Sequence, residues 1–441
     1  MSAGIDPLVL LYPLVLIFVW LIYAGIKRRR RQRNEAIWED NLKAGLTEPV
    51  SLHPVINPSR CIGSGSCVSA CPEGQVIGMM NGKAALIDPT RCIGHGACAA
   101  ACPHDAIDLV FGTAKRGVDI PVLDEQFCTS VPGIYIAGEL GGMGLIRNAI
   151  SQGWQAITAM SISPTIMKEM RRDPDLPIVI VGAGPAGLSA ALAAHAIKAP
   201  CKVLEQDTLG GTIAHYPRGK LVMTQPVSLP LVGKLNHTRV SKEDLMEFWR
   251  KTVEQFPLDI QTGQRVTDVQ PHAEGGFLVS TASGLEQRAA GVLLAIGRRG
   301  LPRRLEVPGE NLTKVVYRMI DPEQYQGQKV LVVGGGDSAL EAAVSLSEQP
   351  GCEVTLSYRG EAFNRARSRN RDRLNAAVDS GQLQLLLNSK VESIQKTQVY
   401  VRQGHQRITL TNDSVIIAAG GLLPTPFLQQ IGVQTETRYG T

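Results

Sequence analysis

The stretch from Ile178 to Glu205 constrains the fold more than any other. It holds, in order, an apolar run Ile178–Val181, a glycine turn, an alanine-rich helical segment and a second apolar run ending in an acid. Gly182, Gly184 and Gly187 give the pattern G-x-G-x-x-G directly after the first run. The first glycine permits a tight turn, the second lets backbone approach a pyrophosphate, and the third lets helix pack on strand. Phosphates then meet the free N–H groups and the positive dipole end of a helix. Glu205 stands where an acid accepts hydrogen bonds from a ribose.

A second unit of this kind begins at Lys329. Residues 330–333 read as a strand, Gly334, Gly336, Asp337 and Ser338 lie in the turn GGGDSA, a helix follows, and residues 354–357 read as the next strand. No acid closes that strand. Tyr358, Arg359, Arg365 and Arg367 stand there instead, and arginines suit a ribose 2′-phosphate. Arg369, Arg371 and Arg373 continue the run, which also suits a solvated helix start. NADPH is expected here ahead of NADH.

A chain of 441 residues has room for two or three domains. Its 45 Lys and Arg face 40 Asp and Glu, a net charge of +5. Lys27, Arg28, Arg29, Arg30, Arg31 and Arg33 form one run, and the remainder is close to neutral. With aromatics at 5%, nothing points to nucleic-acid binding. Residues 7–26 carry no charge and, as a helix, are long enough to span a bilayer. The basic run follows the apolar one, the reverse of a cleaved signal peptide. A single-pass anchor in the inner (cytoplasmic) membrane is therefore expected, with everything from Lys27 on in the cytoplasm. Residues 34–51 read as a short helix near the membrane surface or as a linker.

Six of the nine cysteines fall between Cys61 and Cys102. Clustered beside nucleotide-binding motifs, they suggest metal ligands in a reducing compartment. They form a repeat of about 31 residues: CIGSGSCVSACP from Cys61 through Cys67 and Cys71, and CIGHGACAAACP from Cys92 through Cys98 and Cys102. Zinc is disfavoured, because the spacing is not that of two CxxC knuckles. The repeat resembles bacterial two-cluster ferredoxins, whose run is C-x2-C-x2-C-x3-C-P. Both copies depart at the second cysteine, where Ser64 and His95 stand. In that family the last cysteine of each run serves the other cluster. The resemblance thus implies one set of Cys61, Cys67 and Cys102 and another of Cys92, Cys98 and Cys71, each one thiolate short. Three readings stay open: Ser64 or His95 as replacement ligand, a three-iron cluster, or an absent cluster. His95 also reads as a loop histidine filling a vacated position.

Residues 111–160 contain VPGIYIAGE, a turn, a short strand and the acid Glu139 after Gly138, followed by a helical stretch holding Arg147, Asn148 and Ala149. This resembles the C-terminal flavin segment of thioredoxin-reductase-like flavoproteins, in the pyridine nucleotide-disulfide oxidoreductase superfamily. There the acid contacts the ribityl chain and the helix start faces the flavin ring. Gly210, Gly211 and Thr212 resemble the same family, in which the glycine pair lies along the flavin. Yet the segment precedes the first glycine turn, and after residues 415–424 the chain ends without another copy.

The resemblance implies an α/β fold with two Rossmann-like domains, for FAD and for NAD(P)H, permuted, plus a small ferredoxin-like iron–sulfur module and one N-terminal transmembrane helix. The expected divisions are anchor 1–33, linker 34–51, ferredoxin module 52–110, displaced FAD segment 111–170, FAD domain 171–300, NAD(P)H domain 301–425 and tail 426–441. Thioredoxin reductases carry a C-x-x-C disulfide, and none exists here. Bacillithiol-disulfide-reductase-like flavoproteins carry a cysteine in the first glycine turn, where this chain has Ala186. Cys128, Cys201 and Cys352 are isolated. What remains is a flavin between a hydride donor and 4Fe-4S or 3Fe-4S centres, and a flavin connects two-electron with one-electron transfer. No catalytic side chain is expected. The expected partners are a nicotinamide dinucleotide, an electron-carrier protein or membrane redox partner, and a second copy of the chain in a homodimer. The alternatives are a disulfide or quinone reductase with a vestigial ferredoxin module, and a non-enzymatic membrane redox sensor.

Overall fold

The computed structural model describes residues 7–440 except 44–45, 48, 50–51, 114–116, 142–143, 217, 219–220, 224–225, 236–239, 299–301 and 364–365; side chains are described from Tyr12 on. Two compact units result, one of Met1–Arg116 with Tyr439–Thr441, the other of Gly117–Arg438.

The first unit opens with a 37-residue helix, Pro7–Lys43. It runs through the basic stretch without a break, since residues 27–43 hold no Gly or Pro and Arg31 pairs with Glu35 one turn on at 2.7 Å. Residues 34–43 are thus the end of this helix and not a separate one. They lie against the cysteine module, where Asn34 Nδ2 donates to the Met79 carbonyl at 3.2 Å and Asn41 Nδ2 to that of Ile87 at 3.1 Å.

The expectation of a membrane anchor fails. Among the described residues no helix is long and apolar enough to cross a membrane. The membrane localisation, the topology and the membrane partner go with it.

The cysteine module is built from two antiparallel pairs, His53–Ile56 with Ile107–Val110 and Ile77–Met80 with Lys83–Leu86. Each cysteine run leads into a short helix, Ser66–Ala70 or Ala97–Ala100, entered through a glycine with left-handed backbone.

The second unit contains two five-stranded parallel sheets. In the first, the order is Ile260–Gln261, Cys201–Leu204, Ile178–Val181, Gly291–Leu294, Ile134–Ile136. The strand Ile178–Val181 is wholly buried, as an unbroken apolar run in a parallel sheet must be. The edge strand Ile134–Ile136 comes from the segment that precedes the glycine turn. Its companion helix Ile146–Ile162 packs on Pro185–Ala196 so tightly that a Cβ on Gly153 would run into the Ala186 carbonyl oxygen. Ser189 Oγ donates to the Ile150 carbonyl across this contact at 2.7 Å.

The second sheet runs Val315–Val316, Ser414–Ile417, Lys329–Val333, Glu353–Ser357, Leu383–Leu386. Residues 426–438 are not a loose tail. The helix Thr425–Gln430 is followed by the strand Thr435–Arg438, antiparallel to Val118–Pro121.

Candidate functional site

At the first glycine turn, Gly182 has φ 107°, and a Cβ there would sit 2.7 Å from the Ala295 carbonyl oxygen. A Cβ on Gly187 would fall on the Gly182 carbonyl oxygen, so the helix seats directly on the turn. Gly184 caps that helix without a side-chain bond, and nothing lies closer to its Cβ position than the Gly210 oxygen at 4.0 Å. The helix N-terminus therefore faces open space, as an anion cradle requires. Glu205 is buried; its Oε2 accepts from the Ala183 N–H at 2.7 Å and its Oε1 from that of Asp207 at 2.9 Å. The carboxylate is locked to the turn, with lone pairs left for ribose hydroxyls.

Gly210 donates to the Ala183 carbonyl at 2.9 Å, and the Cβ position of Gly211 lies 3.2 Å from Gly184 Cα. This glycine pair, followed by half-buried Thr212, walls the turn on one side. Gly138 comes to it from another. Its N–H donates to Gln152 Oε1 at 2.9 Å, and its Cβ position lies 3.1 Å from Ala186 Cβ and 3.6 Å from Ala149 Cβ. Glu139 follows, and Arg147, Asn148 and Ala149 form the first turn of the helix Ile146–Ile162.

The sequence reading missed Gln152 and Arg298. The Arg298 guanidinium donates to the Asp119 carbonyl at 3.5 Å. Burial pulls its pKa down, while the charges of Glu139 and Asp119 hold it up.

At the second turn, a Cβ on Gly334 would strike the Ala418 carbonyl oxygen, and one on Gly335 the Tyr358 ring. Gly336 has open space around it and caps the helix Asp337–Ser347, where Ser338 is exposed. Asp337 Oδ1 accepts from the Arg367 N–H at 2.8 Å and from Asn370 Nδ2 at 2.7 Å. Tyr358 stacks on Phe363 with ring centroids 5.1 Å apart, and the Arg367 guanidinium lies 3.6 Å from Asp337 Oδ2. Both are thus engaged within the protein. Arg359 is exposed at the end of the strand, and Arg365 lies outside the described residues.

In the first unit, Cys61, Cys67 and Cys102 line one cavity together with Ser64, and Cys71, Cys92 and Cys98 line a second with His95. Backbone N–H groups already point at sulfur: Ala84 at Cys61 at 3.5 Å, Ala106 at Cys102 at 3.3 Å. Burial pushes the Cys92 thiol up to about 11, with Cys98 and Cys71 adding to it. Burial likewise raises Cys67, next to Cys61 and Cys102. Among the described residues no three of His, Cys, Asp and Glu converge closely enough for a single metal ion. Three sulfurs around a void fit a cluster instead. Ser64 Oγ accepts from the Ser66 N–H at 3.5 Å, and His95 Nδ1 from the Ala97 N–H at 3.4 Å, so the two occupy equivalent places in the repeat. None of the nine cysteines is in a disulfide. Cys201 starts its strand at the end away from the glycine turn, and burial pushes it up to about 11.

Residues 179–440 match the family of pyridine nucleotide-disulphide oxidoreductases, and residues 53–103 match a 4Fe-4S dicluster domain. Among curated proteins, the chain is similar to ferredoxin–NADP reductases. It is 37% identical to that of Levilactobacillus brevis over 42% of this chain and 54% of the relative. The values are 33%, 49% and 65% for Ignicoccus hospitalis, and 32%, 55% and 72% for Lactiplantibacillus plantarum. The chain thus spans only about half to two thirds of the first two relatives' length. Among solved structures it is similar in fold to bacillithiol disulfide reductase from Staphylococcus aureus. The TM-score is 0.52 at 23% identity, over 60% of this chain and 85% of that one.

The family binds FAD and NADPH, and the dicluster domain indicates 4Fe-4S clusters. The open helix N-termini at Gly184 and Gly336 and the two thiol-lined cavities fit those groups. The chain belongs to the pyridine nucleotide-disulphide oxidoreductase family, FAD-dependent NAD(P)H oxidoreductases, and carries a 4Fe-4S dicluster domain in the same polypeptide.

Proposed function

We propose that this chain is a ferredoxin–NADP-reductase-like flavoprotein that moves electrons between NADPH, FAD and its own iron–sulfur module. A separate electron-carrier protein, such as a ferredoxin, stands at the far end. FAD supplies the conversion between hydride and single-electron transfer. The protein binds and orients. Gly182, Gly184 and Gly187 cradle the FAD pyrophosphate, and Glu205 holds the ribose. Gly138, Glu139, Arg147, Asn148 and Ala149 close over the ribityl chain and ring opposite Gly210, Gly211 and Thr212. The flavin domain is then a permuted one, with its closing segment supplied before the first turn. Gly334, Gly336 and Ser338 receive the NADPH pyrophosphate, Asp337 holds the start of the basic helix beside it through Arg367 and Asn370, and Arg359 with Arg365 selects its 2′-phosphate.

The observation that carries this reading is the pair of cavities, each lined by three thiols, in a chain that also has two dinucleotide turns. A disulfide reductase is disfavoured, because it needs a thiol at the flavin, where Ala186 stands in the turn. The test is an anaerobic titration of the iron-loaded full chain with NADPH, followed by flavin absorbance and electron paramagnetic resonance. Flavin bleaching should be followed by cluster signals. If dithionite produces cluster signals and NADPH never does, the proposed electron route is wrong.

A further inference from the structure

We propose that the two cluster sites differ in access: the site of Cys61, Cys67 and Cys102 leaves one iron corner, at Ser64, open to a small external donor such as a thiolate or cyanide, while the site of Cys71, Cys92 and Cys98 is closed at His95. This rests on the iron–sulfur reading above and goes beyond it.

Both sites lack a thiolate at the same place in the repeat, but the surroundings of that place are not alike. Ser64 is exposed and lies between Gly63 and Gly65. A Cβ on Gly65 would meet nothing within 4 Å. The equivalent Gly96 has Leu109 Cδ1 3.1 Å from its Cβ position, whereas the glycines before the corner are alike: a Cβ on Gly63 would meet the Gly82 carbonyl oxygen and one on Gly94 that of Leu52. Leu109 therefore covers the second corner on the Gly96 side, and among the described residues nothing stands in the corresponding place beside Gly65. His95 is half-buried, with its Nε2 edge shielded from solvent.

Ligand chemistry points the same way. Clusters are built on thiolates, which are soft and anionic, and a metal ligand must be deprotonated. A serine oxygen is a hard donor. Ser64 Oγ is moreover tied into its own loop, accepting from the Ser66 N–H at 3.5 Å and the Ser66 hydroxyl at 3.2 Å. It neither replaces the missing thiolate nor covers the iron. Imidazole is a recognised iron ligand, and His95 lines the second cavity. The exposed corner would hold water or hydroxide at rest, which a stronger donor displaces by ligand exchange with no change in electron count.

The test uses the full chain, reconstituted anaerobically, with iron and acid-labile sulfide counted first. The reduced protein is then titrated with potassium cyanide under electron paramagnetic resonance. One of the two cluster signals should shift. Ser64→Cys should supply the fourth thiolate and weaken that response at least about tenfold. Ser64→Ala should keep it, and so should His95→Cys. An iron-loaded protein whose signals ignore cyanide overturns the inference alone, as does a response that survives Ser64→Cys or is lost in His95→Cys. A protein that takes up no iron overturns the iron–sulfur reading itself.

Discussion

Glu205 and Asp337 mark the two glycine turns with opposite logic. Glu205 is held by two backbone N–H groups of its own turn, so its charge is paired before any ligand arrives. Glu205→Gln keeps the shape but loses a charge-assisted bond, worth about 1.5–3 kcal/mol. The melting temperature should fall, and the FAD-to-protein ratio after gel filtration should drop with it; an unchanged ratio would dissociate Glu205 from the flavin. Asp337 anchors residues 367 and 370, and so the start of the basic helix Ser368–Asp379. Asp337→Asn should raise KM for NADPH about tenfold, or about 1.4 kcal/mol, and KM for NADH much less. Equal rises would make Asp337 a general pyrophosphate contact. Arg359→Ala should separate the two nucleotides in the same sense. These residues differ in how far the sequence discloses them. Glu205 is readable because an acid after the second strand has a fixed place in the motif. The partners of Asp337 lie about 30 residues away and exist only once the helix has docked.

At the scale of elements, the contact between Ile146–Ile162 and Pro185–Ala196 leaves no room for a side chain at Gly153. Gly153→Ala should cost about 1–3 kcal/mol by overpacking, seen as a lower melting temperature with flavin loss. Residues 305–317, which include the edge strand Val315–Val316 of the second sheet, are held by one buried carboxylate. Glu310 accepts from the N–H groups of Leu305 and Glu306 at 2.8 Å and from the Tyr317 hydroxyl at 2.9 Å. Burial by itself would raise its pKa, but the bonds it accepts outweigh burial and bring it below the usual 4.5. The folded state thus favours the ionised form. Its stabilisation is complete above about pH 4.5 and is lost as pH falls through the lower folded value. Glu310→Gln should flatten that part of the acid-unfolding profile; an identical profile would assign the acid sensitivity elsewhere. The sheets were legible because IVIV and KVLVV are apolar runs closed by glycine turns. The strand Thr435–Arg438 was not, since TETR has no apolar alternation and is fixed only by its partner Val118–Pro121. The long first helix misled because its apolar run and the basic run after it read as a membrane span, whereas among the described residues no helix is long and apolar enough to cross a membrane.

For the whole molecule, the sheet around the first turn draws on both sides of that turn. Residues 171–441 alone lack the edge strand Ile134–Ile136 and the helix Ile146–Ile162. This fragment should bind FAD poorly, and co-expression with residues 52–170 should restore binding; full stoichiometry in the fragment alone would refute the permuted arrangement. The same arrangement sets a timetable on the ribosome. Ile134–Ile136 is made roughly 155 residues before Gly291–Leu294, its hydrogen-bonding neighbour. At about 5–20 residues per second, it waits on the order of 10–30 s. During that interval three β-prone residues present unpaired backbone to solvent, the condition under which strands find the wrong partner. The cysteine module, complete by Val110, has no such wait. Slow translation between residues 137 and 291 should therefore lower the yield of flavin-loaded protein while leaving the iron-binding portion intact.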